Sequence, residues 1–155
     1  MTAVVGAIAL LSGREIAPPA TGTLAGRAAE APVRSCAPIL VVDDDDSIRD
    51  MVSSVLREAG YTVREASDGA AGLRAVQTER PALILLDLRM PKVDGWEFAQ
   101  RLRESGTEIP IVVMTAVHDA RRAAESMKAV DHLPKPFDID DLLALVVRHA
   151  ATRRN

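Results

Sequence analysis

Several polar residues in this 155-residue chain stand directly behind short apolar runs, and their types suit the handling of phosphate. Asp43, Asp44, Asp45 and Asp46 follow Ile39 to Val42, Asp87 follows Ala82 to Leu86, Thr115 follows Ile111 to Met114, and Lys135 comes shortly after His132 and Leu133. Each has a plain explanation when taken alone. An acidic run before a helix serves as a cap and as favourable charge at the positive end of the helix dipole. Asp87 could cap a loop, Thr115 could bond backbone at a strand end, and Lys135 could be a surface amine. The conjunction reads differently. If the first and third strands are neighbours, Asp43, Asp44 and Asp87 converge, and three carboxylates repel unless a cation lies among them. An all-oxygen set without His or Cys selects a hard ion. Mg²⁺ fits, because it keeps several waters and takes one or two carboxylates plus phosphate oxygens. Lys135 adds a fixed positive charge and Thr115 a hydroxyl donor, which suits an incoming phosphoryl group.

The elements that must bring these groups together alternate in period. Ile39 to Val42 is a continuous apolar run, as in a strand buried on both faces. Ile48, Met51, Val52, Val55, Leu56 and Ala59 then follow helical spacing, with Asp46 or Ser47 as N-cap and Gly60 as the stop. Tyr61 to Ala66 reads as a strand, and Ser67 or Asp68 caps a helix carrying Ala70, Leu73 and Val76. Ala82 to Leu86 is the third strand, Trp96 to Glu104 a helix, Ile111 to Met114 a strand and Asp119 to Lys128 a helix. His132 and Leu133 make a weak fifth strand interrupted by Pro134 and Pro136, before Asp138 caps a helix with Ile139, Leu142, Leu143, Val146 and Val147 on one stripe. Five strands alternating with five helices imply parallel strands with right-handed crossovers, hence a three-layer α/β/α sandwich. Sheets of this kind bind ligands at the carboxyl ends of their strands, where the polar groups lie.

Composition narrows the function classes. The chain is long enough for one domain, which at this size hides roughly 70% of the surface of its unfolded chain and needs no disulfide or structural metal. The single Cys36 and three histidines exclude a disulfide scaffold and zinc-finger spacing, and point to a cytoplasmic setting. A formal charge of −3 gives no footprint for nucleic acid or an anionic membrane. With only Tyr61, Trp96, Phe98 and Phe137 as aromatics, base-stacking is not expected. Residues 1–37 contain an apolar run, Ala3 to Leu11, too short to span a bilayer, which needs about 20 residues. No Lys or Arg precedes that run, as a secretory signal would require. The segment reads as a disordered extension, with residues 38–150 as the domain and 151–155 as a tail.

Four ordered stretches carry a resemblance. Ile39-Leu-Val-Val-Asp-Asp44, Leu85-Leu-Asp-Leu-Arg-Met-Pro91 with Asp94-Gly95, Val113-Met-Thr-Ala116 and Lys135-Pro-Phe137 resemble the receiver domain of two-component response regulators, over about Pro38 to Ala150. The resemblance implies a flavodoxin-like fold with strand order 2-1-3-4-5 and an aspartyl-phosphate switch. It implies Asp87 as phosphoacceptor, Asp43 and Asp44 as Mg²⁺ carboxylates, and Arg89 as the donor of a backbone carbonyl to the metal. Thr115 and Lys135 would grip the phosphoryl oxygens, small Ala116 would leave room for them, and Pro136 would follow a cis peptide. In the family the threonine moves inward while an aromatic on the last strand rotates behind it; here His132 holds that place, which suggests weaker or pH-sensitive coupling. Arg89 and Val117 would flank the phosphate and tune its lifetime.

The same resemblance implies a histidine kinase or phosphotransfer protein as donor and a downstream protein target. A homodimer through the face of the fourth helix, fifth strand and fifth helix is a further implied partner, and the domain is not an enzyme in its own right. Ending within about five residues of the last helix, the chain reads as a stand-alone receiver. The segment from Thr115 to Lys135 is about two residues shorter than the family pattern, with Lys128 where glycine is usual. Two other readings compete. One is a receiver-like module that works without phosphorylation. The other is a Mg²⁺-dependent phosphatase of haloacid-dehalogenase type, which would need a second Asp where Arg89 stands.

Overall fold

The computed structural model describes residues 37–150 apart from 117 and 119. The extension expected over residues 1–37, apart from Ala37, and the tail 151–155 lie outside the described residues, as does Val117. Five strands, β1 (Ile39–Val42), β2 (Val63–Ala66), β3 (Leu83–Asp87), β4 (Ile111–Ala116) and β5 (Asp131–Lys135), alternate with five helices. The helices are α1 (Asp46–Glu58), α2 (Gly69–Thr78), α3 (Gly95–Glu104), α4 (Ala120–Met127) and α5 (Ile139–Ala150). All strand pairings are parallel, in the order β2-β1-β3-β4-β5 expected from sequence.

Side-chain alternation along each central strand feeds two separate cores. Leu40, Val42, Ile84, Leu86 and Val113 point to the face covered by α2, α3 and α4, where Phe98 and Leu102 fill the space. Ile39, Val41, Leu85, Val112 and Met114 point to the face covered by α1 and α5, against Val52, Leu56, Leu142 and Val146. The chain therefore buries the same strands on both sides, which is why they read as unbroken apolar runs. No helix among the described residues is long and apolar enough to cross a membrane.

The structure corrects the sequence reading at several edges. The cap of α1 is Asp45, whose carboxylate accepts from the N–H groups of Ser47 and Ile48 at 2.9 and 3.2 Å; neither Asp46 nor Ser47 fills that role. Four consecutive aspartates leave the cap undetermined from sequence, since any of them can serve. Pro134 does not break β5 but sits inside it, opposite Thr115, because β5 is an edge strand with one side free of ladder partners. The apolar stripe of α5 is Leu142, Leu145, Val146 and Ala150, while Ile139 and Val147, expected on it, are exposed. Met51 on α1 is exposed as well. Helix α4 is the shortest of the five, ending at Met127 one residue before its expected limit. It stops at Lys128, whose φ of 53° is left-handed, a conformation that favours glycine.

Candidate functional site

Strand β1 ends at Val42, and the next residue lies at the carboxyl edge of the sheet beside the end of β3. Asp43 is fully buried and Asp87 is 6% exposed, while Asp44 is exposed. One carboxylate oxygen from each of the three lies within 4.8 Å of the others. The convergence inferred from sequence is therefore present in the fold, and it follows from the adjacency of β1 and β3.

Lys135 comes from the end of β5 and reaches across the edge of the sheet. Its Nζ donates to Asp43 Oδ2 at 2.7 Å and lies 3.6 Å from Asp87 Oδ1. The Lys135–Pro136 peptide is cis, as the resemblance implied. Thr115 is buried at the end of β4, and Ala116, one residue on, is exposed and pairs in register with Lys135. Thr115 lines a cleft of 850 Å³ with Asp44, Arg89, Trp96 and Arg122, next to the acidic cluster. His132 is partly buried on β5, three residues before Lys135; its backbone N–H donates to Asp131 Oδ1 and its ring Nδ1 lies 3.9 Å from the same oxygen.

Asp43 is held by every polar handle it has. Its N–H donates to Ala66 O at 3.1 Å, its carbonyl accepts from Arg49 Nη1 at 2.9 Å, and its Oδ1 accepts from Asp45 N at 2.9 Å. The Asp87 carboxylate, among the described residues, accepts from the Arg89 N–H at 3.4 Å and lies 3.6 Å from the amine of Lys135, while its backbone belongs to the β3–β4 ladder. Burial pushes its carboxyl up to about 6; Lys135 pulls the other way, and the charges of Asp43 and Asp44 reinforce the rise. A carboxyl destabilised in its charged form beside two other carboxylates is the arrangement a divalent cation relieves. All donors are oxygen, so the residues present fit Mg²⁺.

The polypeptide beyond Asp87 is fixed by close packing. A Cβ at Gly95 would stand 2.7 Å from the carbonyl oxygen of Asp87 and 2.8 Å from Leu88 Cα, so this position tolerates only hydrogen. Asp94 caps α3 through Glu97 N at 2.9 Å, which sets where the loop from Asp87 must end. No sequence signal singled out Arg49, a guanidinium that touches the backbone of the acidic cluster. A basic residue on the first turns of an amphipathic helix is common, and only the fold shows that it curls back.

A family model for the response regulator receiver domain matches residues 39–147, which is most of the chain. This chain belongs to the response regulator receiver family. Receivers are signalling domains of two-component systems, and they bind Mg²⁺ at an acidic pocket. Response regulator MprA of Mycobacterium ulcerans is 43% identical over 108 residues, covering 68% of this chain and 47% of that protein. The DNA-binding dual master transcriptional regulator RpaA of Synechocystis is 43% identical over 112 residues, covering 70% of this chain and 46% of that protein. The chain thus spans about half the length of these curated relatives. Chemotaxis protein CheY4 of Vibrio cholerae superposes with a TM-score of 0.66 at 35% identity, over 73% of this chain and 98% of that one. The receiver domain of NtrX from Brucella abortus gives 0.69 at 31%, over 74% and 99%.

Proposed function

We propose that this receiver accepts a phosphoryl group on Asp87 from a histidine kinase or phosphotransfer protein and signals through protein contacts. The observation that carries the reading is the meeting of Asp43, Asp44, Asp87 and Lys135 at the carboxyl edge of one sheet. In the transfer the P–N bond of a donor phosphohistidine breaks and a P–O bond to an Asp87 oxygen forms, leaving the donor imidazole to take up a proton. Asp43, Asp44 and Asp87, with the carbonyl of Arg89, would hold Mg²⁺, which neutralises charge on the phosphoryl oxygens when bound. Lys135 supplies the second positive charge, and Thr115 donates its hydroxyl to a phosphoryl oxygen beside the opening left by Ala116. The proton affinity of Asp87 bears on the step directly, because only the ionised carboxylate is a nucleophile.

The receiver output is a change at β4 and β5. Thr115 and the ring of His132 lie on adjacent strands, so movement of the hydroxyl toward a phosphoryl group opens space for the ring to follow. The face of α4, β5 and α5 then meets a target protein or a second copy. The net charge of the chain favours a protein partner over nucleic acid for this receiver.

The test is intact mass after incubation with Mg²⁺ and acetyl phosphate. One added phosphoryl group is expected, absent without Mg²⁺ and absent from Asp87→Asn. An unmodified wild-type protein, under conditions where another receiver reacts, would replace this reading with a receiver that works without phosphorylation.

A further inference from the structure

The outlier in the site is Arg49, a residue of α1 that is nearly buried, with 13% of its side chain exposed, and that engages three segments of chain at once. Its Nη1 donates to the carbonyl of Asp43 at 2.9 Å, its Nη2 to Asp46 Oδ1 at 2.5 Å, and its Nε lies 3.6 Å from Glu65 Oε2 at the end of β2. The same Glu65 accepts from Arg57 Nη2 at 2.6 Å, which ties α1 to β2 a second time. We propose that Arg49 is a positioning residue for divalent-cation binding, holding the Asp43–Asp44 peptide in the plane that aims both carboxylates.

The physical basis lies in the order of the chain. The Asp43 carbonyl belongs to the peptide that begins Asp44, so fixing that oxygen fixes the direction from which the Asp44 side chain departs. Asp43 is already buried and bonded through its side chain, whereas the Asp44 side chain is exposed and has no hydrogen bond to another of the described residues. The guanidinium is the part that gives Asp44 its aim. A planar fork can serve three acceptors in fixed directions, whereas a lysine amine is a point charge on a flexible stem and cannot reproduce that geometry.

Charge and geometry pull in opposite directions here, which makes the inference decidable. Arg49 is a cation beside a cation site, so by charge alone its removal would tighten Mg²⁺ binding. As a positioning group its removal loosens binding. The inference rests on the reading of the acidic cluster as a Mg²⁺ site, and the experiment separates the two. Mg²⁺ is titrated calorimetrically into the full chain at constant ionic strength, comparing wild type with Arg49→Ala, Arg49→Lys and Arg57→Ala. Arg57→Ala removes a cation from the same Glu65 without touching Asp43.

Both Arg49 variants are expected to weaken Mg²⁺ about 10-fold, the scale of losing a group that orients a metal ligand, with Arg57→Ala close to wild type. Affinity equal to or tighter than wild type in Arg49→Ala overturns the proposal, and so does an equal loss in Arg57→Ala. Should Arg49→Ala fail to fold, Arg49→Lys keeps the charge and the stem and decides alone: a loss supports the fork, retained affinity overturns it. A wild-type chain that binds no Mg²⁺ overturns the metal reading itself, and this inference with it.

Discussion

Asp43 and Asp87 occupy equivalent places at the ends of neighbouring strands, yet the fold holds them by different means. Asp43 is fixed through hydrogen bonds and an ion pair from β2, β5 and α1. The Asp87 carboxylate has fewer polar contacts among the described residues, and the chain that follows it is closely packed. Gly95 lies under the Asp87 carbonyl, and the loop between them is wedged by Val93 against the start of α2, where a Cβ at Gly69 would be 2.6 Å from Val93 O. Close packing around Asp87 removes water without replacing it by an equal set of hydrogen bonds. The raised proton affinity of Asp87 is the consequence. Substitutions at the two carboxylates should therefore fail in different ways.

The largest effect should come from the steric side. Gly95→Ala forces a methyl onto the backbone of Asp87 and Leu88, where no side chain can swing aside. A loss of about 3 kcal/mol in unfolding free energy is expected, the upper end for overpacking, measured by urea denaturation. Unchanged stability would show that the loop yields and that packing does not fix the chain after Asp87.

Next comes the pH dependence. In the unfolded chain Asp87 titrates near 3.8, and in the fold near 6. The native state thus binds more protons between these values, so stability falls as pH rises through that window and stays low above it. Asp87→Asn lacks this loss, and its advantage over wild type should grow by roughly 2–3 kcal/mol between pH 4 and 7. Thermal melts across that range measure it. Saturating Mg²⁺ should shrink the gap, since a bound cation stabilises the ionised form; a gap indifferent to both pH and Mg²⁺ would mean that burial does not govern this carboxyl.

A finer comparison separates two glycines of α2. Gly69 meets backbone of the loop that follows Asp87, whereas a Cβ at Gly72 would meet the ring of Phe98 at 2.9 Å and Val42 side-chain atoms at 3.2 Å, deep in the core. Both alanine variants should lose about 1–2 kcal/mol. Only Gly69→Ala should also slow phosphorylation by acetyl phosphate, because only there is the loop displaced. Equal rates in the two would show that the loop does not transmit the shift to Asp87.

The site was more legible in the sequence than the parts that hold it. Asp43, Asp44, Asp87, Thr115 and Lys135 stand out as a set, because each follows a strand and α/β topology brings the carboxyl ends of strands together. Arg49 and Gly69 do not, since a helical arginine and a glycine after a capping Asp68 have ordinary local explanations. Their roles come from contacts between segments far apart in sequence. The same limit explains the stripe of α5. Periodicity gives a helix and its amphipathic character, but a rotation of one residue, which puts Leu145 inside and Val147 outside, depends on the neighbouring strand.

Lys128 is the case where a departure from pattern was visible in sequence and the fold gives its cost. It ends α4 with φ of 53°, a conformation that crowds any Cβ, at the end of the helix that leads away from Thr115. The cost of a left-handed residue is about 1–2 kcal/mol, partly offset in glycine by the greater freedom of the unfolded chain. Lys128→Gly should therefore raise unfolding free energy by about 0.5–1 kcal/mol without altering Mg²⁺ affinity. Lys92, at φ of 69° in the loop after Asp87, has the same strain in the opposite context. Glycine there relieves the strain but loosens the loop that follows Asp87, so Lys92→Gly should gain stability and lose phosphorylation rate. If both glycines were silent at the site, the loop after Asp87 would be rigid on its own account, and the contrast between a carboxylate held by bonds and one held by packing would rest on Gly95 alone.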